Sequence, residues 1–364
     1  MKKSLLALAV LGSVAGVAQA QSSVTIYGLI DTGISFNSNV AKTAPATGTG
    51  SKFALNSGII NGSRIGFKGV EDLGGGLSAV FQLETGFSND TGATDGGNNE
   101  LFRRKSVVGL SGGFGTVLAG RQTDFLDDVG ALTSVADFGG IVGKVGSSLS
   151  RLQGTRANNS IRYNTNNLSG FTGSLIYGFG EQAGSTSNGQ AYGVGGKYEN
   201  GPLALAAAYY QAKGAGADTS SIATGTAVDK TAVKTFTLAA SYKPTEASRV
   251  YFNWSRTKQP SAAATLIEKQ NAFDLGGSYL LSNNIKLIGS VQHSKQDIVG
   301  ATAKGKLTQV NLGANYLLSK RTDIYTVVSY LKAKDAVNPG IGADAKGDKD
   351  GNQTAVNVGI RHRF

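Results

Sequence analysis

Along much of this chain, apolar and polar side chains trade places at every second residue. At the C-terminus, Gln353, Ala355, Asn357, Gly359, Arg361 and Arg363 form one set, and Thr354, Val356, Val358, Ile360, His362 and Phe364 the other. Gln309, Asn311, Gly313 and Asn315 oppose Val310, Leu312, Ala314 and Tyr316 in the same way, and Arg64, Gly66 and Lys68 oppose Ile65 and Phe67. A period of two is that of a β-strand, whose successive side chains point to opposite faces. The sheet therefore has one polar or small face and one apolar face. A soluble sandwich alternates as well, so the pattern alone leaves barrel and sandwich open.

The punctuation separates them. Short turn signals stand at Glu71–Gly76, Ser111–Gly115, Asn167–Gly170, Glu199–Pro202, Lys243–Ser248, Leu281–Asn284 and Leu318–Arg321. Longer polar segments lie near 37–58, 88–99, 123–157, 181–190, 212–231, 258–269, 298–305 and 334–352. Seven tight turns and eight long loops alternate strictly and join sixteen strands of about ten residues each. Short turns at one rim and long loops at the other mark an all-β fold, a 16-stranded antiparallel transmembrane β-barrel. With strands ~4.8 Å apart and tilted ~40°, its diameter is about 32 Å, wide enough for an aqueous channel. Tyr27, Tyr163, Phe171, Tyr209, Tyr242, Tyr279, Tyr316 and Tyr330 recur toward strand ends, the expected places of two aromatic girdles.

Composition agrees with closure. The 364 residues include 52 Gly, about twice the usual share of about 7%, with only 5 Pro and no Cys. Pro cannot donate in a ladder and is scarce inside strands, while Gly admits bends and close approach. A closed barrel satisfies every backbone polar group within lipid. The longest apolar run after the first twenty residues, Pro202–Tyr210, is well short of the ~20 residues a spanning helix needs. Met1–Lys3, the apolar stretch from Leu5 to about Val17 and Ala18-Gln19-Ala20 read as a signal peptide over residues 1–20, leaving one barrel domain over 21–364.

Several motifs in order resemble the general porins of Gram-negative outer membranes, most closely the trimeric β-proteobacterial type. They are Ser23–Gly28 with Asp31, Ser63–Gly69 with Glu71–Leu77, Phe114–Val117 leading to Gly120-Arg121-Gln122, Arg156–Ile161 with Tyr163, and Gly359–Phe364. The resemblance implies a homotrimer in the outer membrane and a terminal Phe364 read by the barrel-assembly machinery. Small outward residues such as Gly28 would let walls approach closely.

The segment 123–157 exceeds the ~12–15 residues of ordinary loops. It carries Asp124, Asp127, Asp128 and Asp137, then Lys144, Arg151 and Arg156. Its Ala136-Asp137-Phe138-Gly139-Gly140 resembles the porin Pro-Glu-Phe-Gly-Gly motif, with two substitutions. The resemblance implies that this third loop folds into the pore and sets its acids against basic wall residues: Arg64, one of Arg103 and Arg104, and Arg156. Alternation supports Arg64. Next to Val108 and Leu110 it favours Arg103 and Lys105, whereas family position favours Arg104, so both arginines stay in view. Basic rings select anions and acidic rings cations, and opposed charges across a narrow gap orient polar solutes. The expected function is passive diffusion of small hydrophilic solutes and ions, with a modest anion preference.

Other classes fare less well. Hydrolytic barrels use a His base, and only His293 and His362 exist, both reading as surface residues. No His-Glu-x-x-His metal spacing occurs, so neither metal nor cofactor is expected. Gly143-Lys144 is followed by Val145, and Phe138 stands where a P-loop needs Gly. The net charge of +11 is dispersed, which suits lumen residues or lipopolysaccharide contacts better than nucleic acid. A substrate-specific channel and an adhesion barrel remain the alternatives.

Overall fold

A computed structural model of the chain describes residues 23–43, 46–95, 100–133, 156–213, 232–258, 267–298, 304–335, 340–341 and 351–364. The proposed signal peptide and Asp137, Lys144 and Arg151 lie outside the described residues. Seventeen strand segments form one antiparallel sheet that closes on itself. They are β1 (Ser23–Ala41), β2 (Thr49–Ser57), β3 (Arg64–Gly74), β4 (Leu77–Gly86), β5 (Lys105–Gly112) and β6 (Gly115–Thr123). After helix α1 (Phe125–Thr133) come β7 (Arg156–Asn164), β8 (Phe171–Gly178), β9 (Ala191–Asn200), β10 (Leu203–Lys213), β11 (Ala232–Thr245) and β12 (Ser248–Lys258). The wall is completed by β13 (Ile267–Leu280), β14 (Ile285–Ile298), β15 (Gly305–Leu317), β16 (Thr322–Lys334) and β17 (Asn352–Arg363).

β2 and β3 are two parts of one wall strand. β1 pairs with β2 along Thr32–Ala41 and with β3 along Ser23–Leu29. The barrel is therefore sixteen-stranded. It closes where β1 meets β17, from Leu29 opposite Arg363 to Asn37 opposite Ala355. Gly28 and Phe364 exchange backbone hydrogen bonds of 3.1 and 3.0 Å at the turn-side rim.

Alternation sets the faces. In β16 the buried Asp323, Tyr325, Val327, Ser329, Leu331 and Ala333 point inward, between exposed Ile324, Thr326, Val328, Tyr330, Lys332 and Lys334. Exposed apolar residues recur on nearly every strand, the outer band that a bilayer demands. Tyr242, Tyr279, Tyr316 and Phe171 lie exposed toward the turn-side rim, and Tyr177, Tyr192 and Tyr330 toward the loop side. Tyr27 departs from the girdle expectation. It takes inward parity, and its hydroxyl donates to Glu84 Oε2 at 2.8 Å. Gly28 does face outward, but the ring of Phe364 occupies the space: a Cβ there would stand 2.4 Å from Phe364 Cζ.

The first long loop is shorter than its polar composition suggests, since β1 runs to Ala41 and β2 begins at Thr49. The wall breaks afterwards, at residues 58–63, where Gly58 has φ +67°. Here Ile59 and Ile60 turn inward and are buried with Tyr251, Ile288, Tyr325 and Val327. Asp31 anchors the segment. Its Oδ2 accepts the N–H of Ile60 at 2.9 Å and of Asn61 at 2.6 Å, and its Oδ1 accepts the Tyr325 hydroxyl at 2.5 Å. Beside it Arg361, also buried, grips Asp323 with Nε at 3.1 Å and Nη2 at 3.0 Å and donates to Asn61.

Candidate pore constriction

The third loop leaves the wall at Thr123. Asp124 is fully buried and caps α1, its Oδ1 accepting the N–H of Asp127 at 3.2 Å. This is N-cap geometry, with the carboxylate satisfying an orphan donor of the first turn. Asp127 and Asp128 follow in that turn, where negative charge suits the helix dipole.

The apolar face of α1, Phe125, Leu126 and Val129 with Leu132, packs inside the barrel. Its bed is Ala206, Ala208, Tyr210 and Ala212 of β10, with Ile176 and Ala239. The Ala-rich stretch of β10, an apolar run in the sequence, is on its inner side a floor of small residues for a helix. Gly195 of β9 completes it, since a Cβ there would lie 1.7 Å from Phe125 Cδ1. Two arginines of the wall hold the helix from its polar sides. Arg162 of β7 forms an ion pair with Asp128 and donates to the Thr123 carbonyl at 3.1 Å, Asn164 at 2.9 Å and Ser174 at 3.0 Å. Arg249 of β12 donates to Ser241 Oγ at 2.8 Å and to the Leu132 carbonyl near the helix C-terminus.

Across the lumen, the acids of α1 face a charged wall. Glu84 of β4 is its centre: it accepts Arg104 Nε at 2.7 Å and the Tyr27 hydroxyl, while Gln82 Nε2 donates to that hydroxyl at 2.5 Å. Arg64 has Arg104, Glu84, Tyr27 and Asp127 as electrostatic neighbours. Lys105 has Arg162, Glu84, Asp128 and Asp127. Four cations, Arg64, Arg104, Lys105 and Arg162, thus surround Glu84 and the two acids of α1.

The remaining wall candidates are placed differently. Arg103 turns to the loop between β4 and β5, donating to the Asp95 carbonyl at 2.5 Å and standing 3.5 Å from Glu100. Arg104 precedes β5, outside its alternation, which frees it from the parity that Val108 and Leu110 impose. Arg156 begins β7 and donates its Nε to the Arg104 carbonyl at 2.8 Å. Sequence reasoning passed over Arg162, Arg249 and Glu84 as site residues. Alternation could have found the first two, since Arg162 stands between outward Ile161 and Tyr163, and Arg249 precedes outward Val250, Phe252 and Trp254. Among the described residues no group of three or more His, Asp or Glu side chains is arranged to hold a metal ion.

Sixteen strands closed around a lumen, with short turns at one rim, long loops at the other and a helical loop drawn inside between charges, define a channel-forming outer-membrane barrel. The chain belongs to the Gram-negative porin family, whose profile matches residues 7–336. It is 35% identical to outer membrane porin protein 32 of Delftia acidovorans and 34% identical to an outer membrane porin of Bordetella pertussis, each over the full length of both chains. Among solved structures, an anion-selective porin from Comamonas acidovorans superposes with a TM-score of 0.73 at 28% identity, covering 94% of this chain and 100% of that one. The OmpT protein of Vibrio cholerae in its trimer form shares the fold at a TM-score of 0.68 and 20% identity, covering 94% and 99%. The protein is an outer-membrane porin.

Proposed function

We propose that the barrel passes small hydrophilic solutes and ions by diffusion past α1, with a modest preference for anions set at the constriction. The observation that carries the selectivity is the surplus of cations there: Arg64, Arg104, Lys105 and Arg162 against Glu84, Asp127 and Asp128. Basic side chains lining a narrow water-filled gap raise the local concentration of anions, and nearby carboxylates limit the effect. The anion selectivity named for the Comamonas porin supports the same direction. Arg156 adds its charge beside Arg104. In this reading Asp127 and Asp128 are the loop acids of the passage and Asp124 is the cap that aims them. The reversal potential of the purified protein across a planar bilayer in a salt gradient tests this. A potential of the sign set by cation flow would overturn it.

The same reading takes residues 1–20 as an export leader, three copies as the working assembly, lipopolysaccharide as a neighbour in the membrane, and Phe364 as the residue the assembly machinery reads. Migration of the unboiled protein on a gel at the size of three chains supports the trimer. Migration as a single barrel would remove it.

A further inference from the structure

Residues 58–63 leave the ladder between β2 and β3 and turn into the lumen. Backbone groups that leave a ladder need other partners. Asp31 supplies them along the whole segment. Its carbonyl accepts the N–H of Gly58 at 2.8 Å, its Oδ2 accepts those of Ile60 and Asn61, and its own N–H donates to Ser63 Oγ at 3.0 Å. Ile59 and Ile60 are fully buried. A segment held so closely and packed so tightly is a fixed part of the lumen wall.

The two sides of the segment differ. At its back, Ile59 and Ile60 share one apolar cluster with Tyr251 of β12, Ile288 of β14 and Tyr325 and Val327 of β16, and Asn61 accepts a hydrogen bond from Arg361 of β17. At its front stands Gly62, which is exposed. A Cβ on Gly62 would lie 3.3 Å from Arg104 Nη1, with no other described residue beyond its chain neighbours within 4 Å. Arg64 Nη1 is 3.5 Å from the Gly62 carbonyl. Arg64 also has Arg104 and Asp127 of α1 as electrostatic neighbours, so the front of the segment lies at the level of the constriction. Across the lumen, α1 rests on β8–β12, and Arg249, two residues before Tyr251 on β12, holds its C-terminal end. Among the described residues, helix and segment thus line the lumen from β8 round to β17. The arc they leave, β3–β7, carries Arg64, Glu84, Lys105 and Arg162.

We propose that residues 58–63 are a second jaw of the constriction, set across the lumen from α1, and that Gly62 is the point where this jaw meets the passing ion beside Arg104. The absence of a side chain at Gly62 keeps the gap at that guanidinium open. The proposal rests on the reading that ions pass α1, and it adds the wall they pass on the other side. The chain has no Cys, so Gly62→Cys carries the sole thiol. The purified variant is recorded in planar bilayers before and after an anionic sulfonatoethyl or a cationic trimethylammonioethyl methanethiosulfonate, and mass spectrometry counts the label. The anionic label should lower single-channel conductance at least about twofold and move the reversal potential toward cations, whereas the cationic label should lower conductance without that shift. Lys320→Cys, in the exposed turn between β15 and β16, should take both labels with conductance unchanged. Unchanged conductance of fully labelled Gly62→Cys overturns the proposal, and so does a thiol that neither reagent reaches. Ile60→Ala tests the jaw from its back, whether or not Gly62→Cys folds. It should admit larger poly(ethylene glycol) molecules to the pore than the parent does. The parent's exclusion size with a lowered thermal midpoint would reduce Ile60 to packing and overturn the jaw. A parent without conductance steps would instead remove the diffusion pore itself.

Discussion

Glu84 stands between like charges: Arg104 holds it at 2.7 Å and Arg64 lies beside both. Without it, two guanidinium groups would share a partly buried wall with only the acids of α1 to balance them. Glu84→Gln should cost about 1–3 kcal/mol of stability, read as a lower thermal midpoint of the folded barrel. It should also move the reversal potential further to the anion side, since one negative charge leaves the lumen. Asp31 makes the complementary case. Its carboxylate accepts two backbone N–H groups and the Tyr325 hydroxyl, all at a break in the wall. Asp31→Ala orphans these donors at about 1–3 kcal/mol for each one left dry, and Asp31→Asn should lose less, a difference that thermal unfolding resolves.

Among elements, α1 depends most on its surroundings, because a nine-residue helix is marginal alone and takes its stability from packing. Gly195→Val would drive a side chain into Phe125, at about 1–3 kcal/mol of overpacking, and should push α1 off its alanine floor. The expected reading is a larger single-channel conductance; unchanged conductance would detach α1 from the constriction. The segment was legible in the sequence; its helix was not. The length and acids of 123–157 singled the segment out, and Asp124 three residues before Asp127 is a capping spacing. Its docking bed was not legible, because Ala206, Ala208 and Ala212 gain their meaning only once β10 has a known inner face. The break at 58–63 escaped for a related reason. Ile59 and Ile60 are adjacent, so strand alternation would send only one of them inward, and only the turn at Gly58 and the hold of Asp31 bury both.

For the whole molecule, alternation and the rhythm of turns carried the sixteen strands, because a closed sheet in lipid leaves little freedom once faces and rims are assigned. Closure rests on the C-terminal pairing. Deleting Phe364 removes both of its backbone bonds to Gly28 and uncovers that glycine, and should lower the temperature at which the barrel changes its migration on gels. Selectivity is a sum over the lumen, where strands distant in sequence set cations against the acids of one loop. The most direct test of that central claim is the reversal potential in a potassium chloride gradient, compared between the native protein and Arg64→Gln/Arg104→Gln/Arg162→Gln. The native pore should give the sign of anion flow and the triple variant a shift toward cations. A native pore of cation sign, or a variant with unshifted potential, would contradict the account.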